Sequence, residues 1–246
     1  MIVSFEHNYI FIKTGKVAGT SVEMALSRYC GPRDIVTPIY PRNEIHRKPP
    51  ARHAQNFSTD PELERKFADA ADRGDLDSVW KLFRELEPRS LYHNHMRAAA
   101  IRERIGESFW RNAFKFTIDR NSYERVVSNA FWKVHTREGN RATLDQAKIN
   151  RAIEESIERL GPSVAYYTID GAVAVDRILR YESLTAELAA IADRIGGDIS
   201  EDLPRAKGGI RKPGQTASSL LSADQKRRIA ERHAPTFELL GYPMGL

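Results

Sequence analysis

The chain has 246 residues, 41% hydrophobic and 9% aromatic, enough for one large α/β domain or two small ones with a real core. Its 38 basic and 33 acidic side chains leave a formal net charge of +5, which suits an anionic ligand without specifying one. The single cysteine, Cys30, excludes an intramolecular disulfide framework and a thiolate metal site, and its thiol is expected to be a small semi-buried group at a helix end.

Residues 1–7 lack the basic region and apolar core of a signal peptide, and no segment approaches the ~18 apolar residues that span a bilayer. A cytoplasmic protein is therefore expected. Residues 2–12 predict two short strands around His7-Asn8. The second strand, Tyr9-Ile10-Phe11-Ile12, runs into Lys13-Thr14-Gly15-Lys16-Val17-Ala18-Gly19-Thr20-Ser21 and then a helix over about 20–29, stopped by Gly31-Pro32. Strand, glycine-containing turn and helix start form a phosphate cradle, because first-turn amides and the helix dipole both favour an anion there. The ATPase pattern places its lysine after the second glycine, whereas Lys16 precedes Gly19.

Residues 31–60, rich in Pro, Arg and His, show no clean period. Within them Arg42, His46, Arg47, Lys48, Arg52 and His53 are expected to form a solvated face, or else to attract an acidic acceptor. Asp60-Pro61 caps a helical pair that breaks at Gly74 and ends at Pro88. Residues 90–95 are strand-like, which would put His93 and His95 on one face; no third ligand is spaced nearby, so no metal is expected. A helix over 97–105 ends at Gly106, and 113–118 alternates as a strand. Asp119-Arg120-Asn121-Ser122 closes that strand before a helix over 123–133. Thr143-Leu144-Asp145-Gln146 is a capping-box pattern for a helix that ends at Gly161-Pro162. Asp170-Gly171 marks a hairpin between 165–169 and 173–181. Helices near 184–195 and 222–240 flank a polar loop at 207–214. Strands alternating with helices imply an α/β fold, with a largely parallel central sheet flanked by helices on both faces. Ligands of such sheets sit beyond the carboxyl ends of the strands, where both the Lys16 loop and Arg120 are expected. Arg120 and Ser128, two turns into the next helix, suit a terminal phosphate, since guanidinium–phosphate contacts are bidentate and charge-assisted. Trp110 and Trp132 are expected in the core.

Two longer segments carry a resemblance. Gly15-Lys16-Val17-Ala18-Gly19-Thr20-Ser21 and Phe116-Thr117-Ile118-Asp119-Arg120-Asn121-Ser122-Tyr123-Glu124-Arg125-Val126-Val127-Ser128 resemble the two nucleotide-binding motifs of the 3′-phosphoadenosine 5′-phosphosulfate-dependent sulfotransferases, carbohydrate branch. The motifs have proline where Gly15 and Ser122 stand here. Leu91-Tyr92-His93-Asn94-His95 looks like the Tyr-His-x-His segment of heparan sulfate 2-O-sulfotransferases, and residues 175–184 are similar to the family's Val-Asp-x-x-x-Arg-Phe-Glu-x-Leu strand. The resemblance extends over about residues 8–246 and is weakest at 31–88, a variable segment assigned to the substrate side of one P-loop-like sulfotransferase domain.

It implies that the amides of Val17, Ala18, Gly19, Thr20 and Ser21, with the Thr20 and Ser21 hydroxyls, cradle the 5′-phosphosulfate. Lys16 then stabilises the leaving group, and Arg120 and Ser128 hold the 3′-phosphate. Arg211 and Lys212 lie in a loop that the family folds over the nucleotide. His95, or else His93, is the implied base for an acceptor hydroxyl, and a carbohydrate acceptor is implied, with no metal and no nucleic acid. The product would be adenosine 3′,5′-bisphosphate. Two other readings are a P-loop kinase, which needs Mg²⁺ and a strand-end acid, and a basic polyanion-binding module, which does not need Lys16. The sequence carries no code for the acceptor or the oligomeric state.

Overall fold

Residues 2–12 fold as the predicted hairpin: β1 (Ile2–Ser4) pairs antiparallel with β2 (Tyr9–Ile12), with Ile2 opposite Phe11. Asn8 makes the turn with a positive φ of 53°, a conformation that asparagine tolerates better than most residues. In this computed structural model every residue is described except 139–144, 202, 205–210, 212, 213 and 246. After α1 (Gly19–Leu26) come β3 (Ile35–Val36), α2 (Pro41–Glu44), α3 (Pro61–Asp72) and α4 (Leu76–Leu86). Asp60 caps α3 as expected, its carboxylate accepting from the Leu63 amide at 2.9 Å. Next are α5 (Ala98–Ile105), α6 (Glu107–Asn112), β4 (Phe114–Asp119), α7 (Ser122–Glu138) and α8 (Gln146–Arg159). The cap of α8 is Asp145, accepting from the Ala147 amide, one element where the sequence suggested Thr143; Thr143 lies outside the described residues. The chain continues through β5 (Thr168–Ile169), β6 (Ala172–Val173), β7 (Arg177–Arg180), α9 (Leu184–Ala189), α10 (Ala192–Ile195), α11 (Ala217–Leu220), α12 (Ala223–Arg232) and α13 (Ala234–Leu240).

Two compact units emerge, one of residues 1–14, 18–118 and 166–206, the other of residues 15–17, 119–165 and 207–246. The first holds a five-stranded sheet in the order β3-β1-β2-β4-β7. The sheet is mixed, and this corrects the largely parallel one expected: β1 is antiparallel to both β2 and β3, while β2 and β4 are parallel. The cause is the link at residues 5–8, too short for the crossover that parallel neighbours need. Because β2 and β4 are parallel neighbours, Ile12 and Ile118 leave the sheet at the same end. β2 is buried on both faces, Ile10 and Ile12 in a cluster with Val3, Phe57, Phe67 and Ile101, and Phe11 stacked on Phe116 with ring centroids 5.1 Å apart. Trp110 belongs to this core, as expected. The Asp170-Gly171 hairpin forms as β5 and β6, but its second run is cut short, and β7 crosses to the main sheet.

In the second unit α7 presents Tyr123, Val126, Val127, Ala130, Phe131 and Val134 to Ile149, Ile153 and Ile157 of α8 and to Phe237 of α13. That spacing is one apolar helix stripe against another. The opposite side of α7 carries the half-buried Glu124, Ser128 and Trp132. Among the described residues no helix is long and apolar enough to cross a membrane.

Candidate functional site: an anion-type loop and an arginine cluster

In the first unit the carboxyl ends of β2 and β4 are pinned by reciprocal hydroxyl bonds. Thr117 Oγ1 donates to the Ile12 carbonyl at 2.7 Å, and Thr14 Oγ1 donates to the Ile118 carbonyl. Lys13 turns inward: its Nζ pairs with the Glu23 carboxylate of α1 and donates to Asn94 Oδ1 at 3.3 Å. Burial works to raise the Glu23 carboxyl, but the Lys13 ammonium and the Met1 amino group outweigh it and lower the group to about 2. Burial depresses Lys13 in turn.

The loop between β2 and α1 contains two non-glycine residues in the left-handed region, Lys16 at φ 69° and Ala18 at φ 60°. Each such residue costs about 1–2 kcal/mol and persists only where the surroundings dictate it. Ala18 is the N-cap of α1 and supplies no side-chain cap; the first intrahelical bond is Val22 N to the Ala18 carbonyl at 3.1 Å. The amides of Gly19, Thr20 and Ser21 therefore have no partner within their own helix. Thr20 and Ser21 are buried within that first turn. Gly19 is required by close approach, since a Cβ there would lie 2.9 Å from Lys13 Cγ and 3.0 Å from its Cε. Because Lys13 is clamped by Glu23 it cannot step aside. Gly19→Ala is expected to destabilise by about 1–3 kcal/mol, about 2–4 °C of Tm per kcal/mol; an unchanged melting curve would show that the lysine stem yields.

The predicted strand at 90–95 does not form. Apart from a bridge between Ser90 and Ser58, the segment is a turn in which His95 has φ 58°. Its inward residue is Asn94, whose Oδ1 accepts from Lys13 and from Thr37 Oγ1 at 3.2 Å. His93 lies exposed, its Nδ1 2.9 Å from the Asn94 carbonyl. His95 Nδ1 is 3.2 Å from the Lys13 carbonyl. A carbonyl only accepts, so the proton is on Nδ1 and Nε2 keeps its lone pair. Its ring lies 6.2 Å from that of Tyr166. Burial among protein atoms, with the Lys13 charge second, lowers the imidazole to about 4. By surface area, however, the residue is exposed, which weakens the burial effect and leaves its downward direction. At pH 7 this histidine is neutral, with Nε2 able to accept a proton.

The basic cluster of residues 42–53, also in this unit, is a solvated face at four of its six positions, with Arg47 and His53 drawn inward. Arg47 is fully buried 3.5 Å from Glu44, Lys48 donates to the Ala71 and Asp72 carbonyls at the end of α3, and His53 lies between Glu44 and Asp72. Arg42, His46, Lys48 and Arg52 are exposed, Arg52 donating through Nε to the Cys30 carbonyl.

The second unit gathers most of the remaining candidates on α7. Arg120 donates through Nη1 to the Lys16 carbonyl at 3.5 Å and through Nη2 to Glu124 Oε2 at 3.2 Å. Arg125, fully buried, donates through Nε to the Gly15 carbonyl at 3.2 Å. Together these two arginines fix the backbone of residues 15 and 16. Lys16 Nζ stands 5.0 Å from the centre of the Trp132 ring, a cation–π contact, so Trp132 is a half-exposed platform and not the core residue expected. Arg211 donates to the same Glu124 oxygen at 2.8 Å, and the Ala217 amide donates to Glu124 Oε1 at 2.8 Å. Burial alone would raise the Glu124 carboxyl, but the Ala217 amide and the guanidiniums of Arg211 and Arg120 hold it below its usual range. Asp119 bonds the Arg120 amide at 2.7 Å and the Ser163 hydroxyl. It thereby orients the arginine through its backbone. Ser128 stands one turn from both Glu124 and Trp132; Lys212 lies outside the described residues.

Sequence reasoning missed Glu124, Arg125 and Asn94. Arg125 lies inside the second motif, where the resemblance gives it no role, and the i, i+4 spacing of Arg120 and Glu124 is a pairing signal. The chain matches no family model, no curated protein and no solved structure.

Proposed function

We propose that this protein is a P-loop-like sulfotransferase that takes the sulfuryl group of 3′-phosphoadenosine 5′-phosphosulfate and transfers it to an acceptor hydroxyl, most simply on a carbohydrate. The observation that carries the reading is the meeting of Arg120 and Arg211 on one oxygen of Glu124, with Arg120 also holding the Lys16 carbonyl. Two arginines remote in sequence, both named by the sulfotransferase resemblance, share that carboxylate, and one of them also bonds the backbone of Lys16, which the same resemblance names. Within this group of side chains the cations Lys16, Arg120, Arg125 and Arg211 outnumber the carboxylates Asp119 and Glu124, and guanidinium, ammonium and hydroxyl donors are the set a phosphate requires.

When bound, the nucleotide supplies an activated sulfuryl group and a phosphate as leaving group. Arg120, Ser128 and Arg211 bind its 3′-phosphate. The amides of residues 17–21, with the Thr20 and Ser21 hydroxyls, orient the 5′ end, and the left-handed Lys16 and Ala18 support a loop built for that task. Lys16 neutralises charge on the departing oxygen, and His95 Nε2 takes the proton of the acceptor hydroxyl.

Calorimetric titration with adenosine 3′,5′-bisphosphate, ATP with Mg²⁺ and an oligonucleotide tests the reading. Selective bisphosphate binding is expected, weakened about 10–100-fold in Arg120→Ala, the value of one or two charge-assisted bonds. Equal affinity for all three probes, or none for the bisphosphate, would overturn it.

A further inference from the structure

Glu124 is more than an i, i+4 partner of Arg120. Its Oε2 accepts from Arg120 Nη2 at 3.2 Å and from Arg211 Nη2 at 2.8 Å, while Oε1 accepts the Ala217 amide at 2.8 Å. Two guanidiniums and a backbone amide are the donors that a phosphate oxyanion collects. Like-charged guanidiniums come within reach of one oxygen because a negative charge already lies there.

We propose that Glu124 is a built-in counter-anion occupying the place of a ligand phosphate, so that Arg120 and Arg211 accept a phosphate monoester dianion and reject singly charged esters. The inference rests on the assignment of these arginines to the nucleotide. An arriving anion must take over the guanidinium donors or sit beside a like charge within a few ångströms. In half-buried surroundings that repulsion exceeds the ordering of two side chains that the carboxylate provides. A monoanion gains no more from the two arginines than Glu124 does, and Glu124 is already tethered to α7. A phosphate monoester carries close to two charges at neutral pH and wins the exchange. Glu124 thus sets both the affinity and the preference for a terminal phosphate over a sulfate ester or a phosphodiester.

Adenosine 3′,5′-bisphosphate and inorganic phosphate, titrated calorimetrically into the wild type, Glu124→Gln, Glu124→Ala and Glu124→Asp, test this, with melting curves to verify folding. Removing the charge in Glu124→Gln and Glu124→Ala is expected to tighten bisphosphate binding at least about tenfold, while Glu124→Asp stays within about threefold of the wild type. Unchanged or weaker binding by both neutral variants, or equal tightening in Glu124→Asp, would overturn the inference and leave the sulfotransferase reading standing. Absence of bisphosphate binding by every variant, with phosphate still tighter on the neutral ones, would overturn that reading and uphold the counter-anion. No binding of either probe by any variant would overturn both.

Discussion

His95→Ala is expected to lower sulfuryl transfer by about 10²–10⁴-fold, the usual worth of a positioned general base, while adenosine 3′,5′-bisphosphate binds as in the wild type. The expectation follows from the ring's one hydrogen bond. With Nδ1 committed to the Lys13 carbonyl 3.2 Å away, Nε2 is the nitrogen that accepts. The low pKa adds a second, independent signature. A histidine at its ordinary value loses its basic form as pH falls through 6.5, whereas His95, depressed to about 4, keeps it. The acid limb of kcat/KM is therefore expected below 6.5, toward pH 4. His93→Ala serves as the control: its Nδ1 is bonded to the neighbouring Asn94 carbonyl and not to the Lys13 carbonyl at the end of β2, and turnover is expected to persist. Full turnover in His95→Ala, or an inflection near 6.5 that survives the substitution, would remove His95 from the reaction.

How much of this could be read from the sequence depends on the range of the interactions that fix each element. The β1–β2 hairpin, the Asp60 cap, the α3–α4 pair and β4 were legible because alternation, capping residues and breakers act over a few positions. β3 was not: two residues in a Pro-rich stretch carry no period, and the strand exists because Ile35 and Val36 complete the edge of β1. The 90–95 turn differs from the expected strand for the same reason. Its short apolar pattern resembles a strand, but Asn94 is drawn inward by Lys13 and Thr37, partners remote in sequence. The candidate residues themselves were legible by type and order. What joins them was not, since Arg125 to the Gly15 carbonyl and Arg211 to Glu124 are contacts across more than eighty positions of chain. Trp132 shows the limit most plainly: a tryptophan on a helix reads as core until a lysine from a remote loop is found over its ring.

That lysine carries the other large effect. Lys16→Ala is expected to lower kcat by about 10²–10³-fold, the cost of removing one charge stabiliser from a transition state, with bisphosphate affinity changed less than about tenfold. The cation–π contact with Trp132, 5.0 Å from Nζ to ring centre, does not hold the ammonium back. Such contacts are worth about 0.5–1 kcal/mol at exposed sites, against about 2.7–4 kcal/mol for a donor aimed at developing charge. Trp132→Phe, which keeps a ring face for that contact, is therefore expected to leave kcat nearly unchanged. The backbone of Lys16 stays fixed in the alanine variant, because Arg120 holds its carbonyl and Arg125 that of Gly15. Loss of rate can then be assigned to the ammonium and not to the loop. A Lys16→Ala protein that turns over normally would end the leaving-group role. One that loses bisphosphate binding in step with kcat would make Lys16 a ground-state binding residue.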